Sequence, residues 1–452
     1  MSDGLKKVES ESRLKKFSEA IEDGRLYNIR QMVHELHPAE IAHLLESLPR
    51  SERELVWKMV HPDKDGDVLT YVNDEVRAKL IRDMAAEELI AATEGLDPDD
   101  LADILQDLPD IVISEVLHSM GDQDRIRLEA VLSYPDDSAG GLMNLDTITV
   151  RPNVTLDVVL RYLRLRGSIP QMTDHLIVVS RTDHFLGLLS IADLLTKDPA
   201  STVSSNMITD QEPIGAGMAA NAVASVFEQR DLVSAPVVDN EGKLLGRITI
   251  DDVVDVIRDE AEHSIMSMAG LDEEDDIFAP VVVSSRRRGV WLGINLLTAF
   301  IAAWVIGLFE ATIEQVVALA VLMPVVASMG GIAGSQTLTL VIRGMALGHI
   351  GSANARNILV KELAIGGLNG VLWAVVVGAV AMLWFDDFML GVIIAIAIIV
   401  NLVAAALAGA TIPLAMRRMG VDPALSASVV LTTVTDVVGF FVFLGLATLL
   451  LI

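Results

Sequence analysis

The chain has 452 residues, of which 52% are hydrophobic, and carries a formal net charge of −28 with no cysteine. That length exceeds a single domain, and the positive mean hydropathy excludes an ordinary soluble protein. Disulfides, thiolate metal sites and cysteine nucleophiles are excluded as well. Residues 286–452 hold 8 Lys and Arg against 7 Asp and Glu, so the acidic surplus falls on the first 285 residues. Such a surface repels nucleic acid and anionic lipid heads and attracts cations, although acid also serves plain solubility. The start, Met1 to Ser10, has no apolar core of a signal peptide, which places the acidic part in the cytosol as an expectation.

Residues 1–135 read as helical throughout, with apolar residues at spacings of three and four. His37-Pro-Ala-Glu-Ile-Ala-His-Leu-Leu-Glu-Ser-Leu-Pro49 echoes in Asp97-Pro-Asp-Asp-Leu-Ala-Asp-Ile-Leu-Gln-Asp-Leu-Pro109, each proline pair bounding a short amphipathic helix. Stacked helix pairs in a superhelical domain are therefore expected. Asp99 and Asp103 of the second copy share a helix face, where like charges destabilise unless a cation or basic group lies opposite.

From about Asp136 to 258 the pattern turns to β-branched runs alternating with helices, an α/β signature. Gly187-x-x-Ser190-x-x-Asp193 matches Gly246-x-x-Thr249-x-x-Asp252 at a spacing of 59 residues. The duplication resembles a tandem pair of cystathionine-β-synthase (CBS) domains. In such modules this stretch contacts an adenine nucleotide, which puts Ser190, Asp193, Thr249 and Asp252 forward as nucleotide-binding. The alternative is that it ends a strand and caps a helix. Residues 259–285 follow as an acidic connecting helix, with the run Asp272 to Asp276, and lead to Arg286, Arg287 and Arg288.

Five apolar segments fill 286–452, expected at 290–309, 315–342, 363–385, 388–416 and 423–452. The basic residues Arg286 to Arg288, Arg343, Arg356, Lys361, Arg417 and Arg418 all flank one side of these segments, so the amino terminus is expected inside and the carboxyl terminus outside. The second segment carries Pro324, Gly330, Gly331 and Gly334 beside Ser335, Gln336, Thr337 and Thr339. Proline and glycines are expected to break backbone bonding at membrane depth where the chain lines a wet cavity. Tight helix packing by glycine is the other reading. The fifth segment carries one carboxylate, Asp436, near its middle. An ionisable group there costs about 2.5–3.5 kcal/mol even on the lenient scale, so it belongs to an ion path or is hydrogen-bonded to Thr432, Thr433 or Thr435. The membrane part offers neither an intramembrane His-Glu-x-x-His nor a pair of aspartates at depth, which argues against a membrane protease.

The order of parts, with Pro324 through Gly348, Gly420 to Leu425 and Thr435-Asp-Val-Val-Gly439, resembles the MgtE family of magnesium channels and transporters. The resemblance implies a homodimer in the cytoplasmic membrane with its pore on the two-fold axis, taking Mg2+ as cargo and regulator. It places Asp436, the Thr432 carbonyl and Asp422 at cations along the pore, beside Gly330, Gly331, Gly334 and Gln336. It also implies closure by cytosolic Mg2+ at Asp67, Asp99, Asp103, Gly141, Asp231, Asp252, Asp255 and Glu260, with ATP or another adenine nucleotide at the CBS domains. Ile332 and Ser428 stand where the family often carries asparagine, and Ala219, Asn221, His263 and Ser264 where it carries acids. A membrane-anchored sensor that transports nothing is the rival from another class.

Overall fold

A computed structural model of the chain describes residues 17, 19–20, 23, 26–93, 96, 98–106, 113, 116–117, 122–271, 277–351 and 354–452. The acidic run at 272–276 and Asp97, Asp107, Pro109 and Asp110 lie outside them. The chain divides into two compact units, 1–261 with 274–279, and 262–273 with 280–452.

The first unit opens with short helices: α1 (Leu26–Glu35), α2 (Pro38–Glu46), α3 (Arg50–Trp57), α4 (Pro62–Tyr71), α5 (Asp74–Arg82), α6 (Ala86–Thr93), α7 (Pro98–Gln106) and α8 (Asp122–Leu132). Two of the starts, those of α2 and α4, show a shared chemical cause. Pro38 and Pro62 occupy first-turn positions, where a missing N–H is harmless. His37 Nδ1 accepts the Ala39 N–H at 3.3 Å, and His61 Nδ1 accepts that of Asp63 at 3.3 Å. Glu40 returns a bond from the His37 N–H at 3.1 Å, completing a capping box with histidine in place of Ser or Thr. The helix ends are closed by cations. Arg53, 2% exposed, donates to the carbonyls of Leu45 at 2.8 Å and Leu48 at 3.2 Å, and Lys64 donates to Leu36 at 2.8 Å. The apolar faces so fixed join one core with the second α/β repeat, in which Ile41, Leu45, Val68 and Leu69 pack in the same cluster as Phe227, Val237 and Ile248.

The α/β part is built twice. In the first repeat β1 (Thr149–Val150) runs parallel to β2 (His175–Val179), which pairs antiparallel with β3 (Phe185–Ser190), with α9 (Leu156–Arg166), α10 (Ile191–Thr196) and α11 (Val203–Asn206) around them. The second repeat has β4 (Ile214–Gly215), β5 (Ser234–Val238) and β6 (Leu244–Thr249) in the same order, with α12 (Ala220–Arg230). Val178 faces Gly187 as Val237 faces Gly246, and the register slips after Val178 and after Val237. Buried Arg247 donates to the Gln171 carbonyl at 2.7 Å and the Thr173 hydroxyl at 3.0 Å, and Ser234 donates to Asp174 at 2.5 Å, so polar bonds hold the repeats to one another. Helix α13 (Ile250–Met268) follows directly from β6.

The second unit holds α14 (Val281–Gly307), α15 (Glu310–Gln315), α16 (Ala318–Ala346), α17 (Ala355–Phe385), α18 (Phe388–Arg418) and α19 (Pro423–Leu451). Among the described residues, five helices are long and apolar enough to cross a membrane. They extend beyond the predicted segments at several ends. The third starts at Ala355 rather than 363, because hydropathy marks where lipid contact stops and not where backbone bonding stops. Helix α18 is the most buried, packed against α16, α17 and α19. The predicted break in the second segment does not occur: α16 is helical from Ala318 to Ala346 with Pro324 inside it.

Gly66 shows how tightly the first unit is drawn together. A Cβ there would lie 2.1 Å from the Ala92 carbonyl oxygen of α6. Gly66→Ala is expected to destabilise the first unit by about 1–3 kcal/mol, read as a lowered denaturation midpoint.

Candidate ion pathway and cation sites

Residues of α16 divide by helical spacing into two faces. Gly330 and Gly334 are buried: a Cβ on Gly330 would meet Asn401 Nδ2 at 2.3 Å, and Gly334 sits under Leu431 of α19 and, through its carbonyl, Gly409 of α18. Gly331 is different, because a Cβ on it would meet nothing within 4 Å. The packing reading therefore holds for Gly330 and Gly334, while the helix runs unbroken past Gly331, which faces open space. Gly331 belongs to the second face with Ser328, Ile332, Ser335, Gln336 and Thr339, which together with Thr432 line an open groove of about 870 Å³. Ser328, Ser335, Gln336, Thr339 and Thr432 are all exposed in the single chain.

Helix α19 brings the carboxylates. Asp422 is its N-cap, accepting the Ala424 N–H at 2.9 Å before Pro423 at the first turn. Its other oxygen, Oδ2, lies 3.2 Å from His263 Nε2 of α13, and Ser267 lies 3.4 Å from the same nitrogen. The acid-to-histidine departure noted in the sequence thus pairs directly with a residue expected in the pore. Asp436 is half-buried one turn beyond Thr432, about 6 Å along the helix, and is not among the groove-lining residues. The expected threonine partners are otherwise engaged. Thr432 donates to the Ser428 carbonyl at 2.9 Å, Thr433 to that of Val429 at 2.8 Å, and Thr435 to that of Thr432 at 3.0 Å. Among the described residues no hydrogen bond or ion pair reaches the Asp436 carboxylate. The Thr432 carbonyl is already shared with the Thr435 hydroxyl.

In the first unit, acids from separate helices converge on Tyr71. Its phenol is pushed up by burial first, then by Asp100, Asp67, Asp255 and Asp251. Two of the predicted cation residues, Asp67 and Asp255, therefore share one neighbourhood, with Asp255 also 3.1 Å from Arg258. Nearby, Asp65 is pushed up to about 6 by burial and by Glu88. Asp99 and Asp103 both lie on α7, and Glu260 is exposed on α13. Asp231 is exposed and ends α12 with φ of 51°, and the Gly141 N–H is bound to Ser138; among the described residues no hydrogen bond ties either to the Tyr71 group. Among those residues no three His, Asp or Glu side chains converge closely enough to hold a metal ion.

The two repeated motifs act as helix caps. Ser190 accepts the Ala192 N–H at 3.1 Å, leaving its own O–H to donate, and Asp193 lies 3.8 Å from Lys197. Thr249 donates to Asp252 at 3.0 Å, so that carboxylate is partly occupied.

Comparison with known proteins decides the family. Residues 323–446 match the MgtE divalent cation transporter family, 36–137 the MgtE intracellular N domain, and 139–199 and 205–259 the CBS domain. The magnesium transporter MgtE of Thermus thermophilus is 32% identical, over 96% of this chain and 97% of that protein. The chain belongs to the MgtE family. MgtE of Bacillus subtilis is 26% identical over 95% of both chains. A crystal structure of the cytosolic domain of the Mg2+ channel MgtE in complex with ATP shares 30% identity, with a TM-score of 0.49, covering 54% of this chain and 99% of that one.

Two polar residues of this MgtE chain escaped the sequence reading. Asn401, fully buried in α18, donates to the Val326 carbonyl at 2.9 Å, and a Cβ at Gly330 or Gly439 would strike it. Glu362, expected just outside a segment, is buried within α17, so Asp436 is not the sole carboxylate of the membrane-spanning helices. A lone polar residue inside an apolar stretch was the available signal for Asn401. Glu362 carried none, because Arg356 and Lys361 made its surroundings look like a loop.

The two glycine faces are separable by experiment. Gly330→Ala is expected to displace Asn401 and lower thermal stability in detergent by about 1–3 kcal/mol, whereas Gly331→Ala leaves stability within about 0.5 kcal/mol.

Proposed function

We propose that the chain is a magnesium channel or transporter that works as a homodimer and admits Mg2+ to the cytosol across the cytoplasmic membrane. The observation that carries this reading is an open groove of exposed hydroxyl and amide groups, with a carboxylate one helical turn beyond its Thr432 that has no protein partner among the described residues. Polar side chains are not presented to lipid, so the groove faces water or a second copy. Two-fold pairing closes two half-grooves into one path and places two Asp436 carboxylates across it. Magnesium keeps most of its waters and takes only one or two carboxylates, which suits a path with few charges and many polar acceptors. Gln336 and Thr432 line that path, Gly331 leaves it room, and Gly330 and Gly334 hold its wall in place; we assign its mouth to Asp422, the N-cap of α19.

The basic loops put the amino terminus in the cytosol and the carboxyl terminus outside. We divide the labour among a helical domain at 1–135, a CBS pair at 136–258, a connecting helix at 259–285 and a pore domain at 286–452. Cytosolic Mg2+ closes the path by binding at Asp67, Asp99, Asp103, Gly141, Asp231, Asp252, Asp255 and Glu260. Two carboxylates about 4 Å apart repel by roughly 4 kcal/mol at an effective dielectric near 20, and a bridging dication reverses that sign. Sites that fill only in the closed form move the balance by mass action. The O–H of Ser190, which donates to no group among the described residues, suits a phosphate of ATP or a related nucleotide, with Asp193, Thr249 and Asp252 as further contacts.

The purified chain in liposomes loaded with a magnesium-sensitive dye tests the reading. Wild type is expected to admit Mg2+, and Asp436→Ala and Asp436→Asn to slow entry by about tenfold or more. Wild-type protein that is folded and passes nothing would make the membrane-anchored sensor the right reading. Asp67→Ala and Asp255→Ala are expected to raise the cytosolic Mg2+ concentration that stops entry, measured on the same liposomes or by patch recording.

A further inference from the structure

Glu362 lies in the second turn of α17 with 5% of its surface exposed. Thr337 of α16 donates its hydroxyl to Oε2 at 3.1 Å. Among the described residues no Lys, Arg or His pairs with this carboxylate, although Lys361 is its chain neighbour. Glu362, Thr337, Gln336 and Asn369 all line a cavity of about 100 Å³ between α16, α17 and α18, whose remaining wall is apolar, with Leu402 and Ala406 across from them. Gln336 also lines the groove, so it forms a wall common to both spaces.

A carboxylate buried in a membrane-spanning helix needs compensation, and one neutral hydroxyl supplies little of it. Buried charges are paired or bind cations, and here the paired option is absent among the described groups. A water needs about 10–15 Å³ of such space, so the cavity has room for an ion together with several of its waters. One carboxylate, a hydroxyl, two amide oxygens and retained water form an all-oxygen donor set of the kind hard dications take.

We propose that Glu362, Thr337, Gln336 and Asn369 form a divalent-cation site within each chain, off the two-fold path and behind its wall. Unlike the axial site, it needs no second copy. A dication there neutralises Glu362 and draws the Gln336 amide oxygen toward the side cavity, so its occupancy sets what the groove presents to passing ions.

The test uses the full chain in lipid nanodiscs with Mn2+ as the probe, counting bound metal by electron paramagnetic resonance. Glu362→Gln keeps the volume and an acceptor for Thr337; it is expected to bind one Mn2+ fewer per chain at saturation with unchanged thermal stability. Thr337→Val is expected to weaken that one site several-fold and leave the others alone. An unchanged Mn2+ count and affinity in Glu362→Gln overturns the proposal. A loss of thermal stability with unchanged Mn2+ binding overturns it too, and makes the carboxylate a helix anchor. The count does not depend on transport: a chain that admits no Mg2+ yet loses one Mn2+ in Glu362→Gln sinks the transport reading and keeps this site.

Discussion

Hydrocarbon offers no partner to a polar group, and that constraint arranges the membrane half of this protein. Many of its polar side chains meet one of three ends. Thr411, Thr432, Thr433 and Thr448 turn their hydroxyls back onto carbonyls one turn earlier in their own helix. Asn401 and the Thr337–Glu362 pair are buried between helices, where each bond also ties one helix to another. Ser328, Ser335, Gln336 and Thr339 have neither end and stand exposed in a row. The third group is the one that lipid cannot cover, and it borders the groove.

The same constraint explains why α16 carries both glycine and polar residues. Glycine at Gly330 and Gly334 lets the backbone approach α18 and α19, which brings Asn401 and Leu431 into contact with it. With that face fully packed, the opposite face is held at a set distance from Thr432 of α19 and is free to stay polar. A continuous helix thus carries one close-packed face and one open polar face.

In the first unit, charge has two distinct uses. Cations such as Arg53 and Lys64 satisfy carbonyls at helix ends, and His37 and His61 take up N–H groups at helix starts. These are structural and local. The acids around Tyr71 come from α4, α7 and α13, elements separated in the chain. Burial and mutual repulsion raise Tyr71 there, and Asp65 nearby is raised in the same way. Regions that store like-charge repulsion respond to a dication more than neutral surfaces do.

How much was legible in the sequence followed from the range of the forces involved. Helical spacing, the proline-bounded repeat, the 59-residue duplication and five apolar segments are local or periodic, and they specified the elements, the family and the polar character of α16. Asp436 was visible because a charge in a long apolar run stands out against its neighbours. Which glycines pack and which open on the groove depends on the faces that α18 and α19 present, so only tertiary structure separated Gly330 from Gly331. Glu362 was hidden for a related reason: in sequence it follows Lys361 and lies six residues from Arg356, while in space it meets Thr337 and the apolar wall of α18, and burial is a property of space.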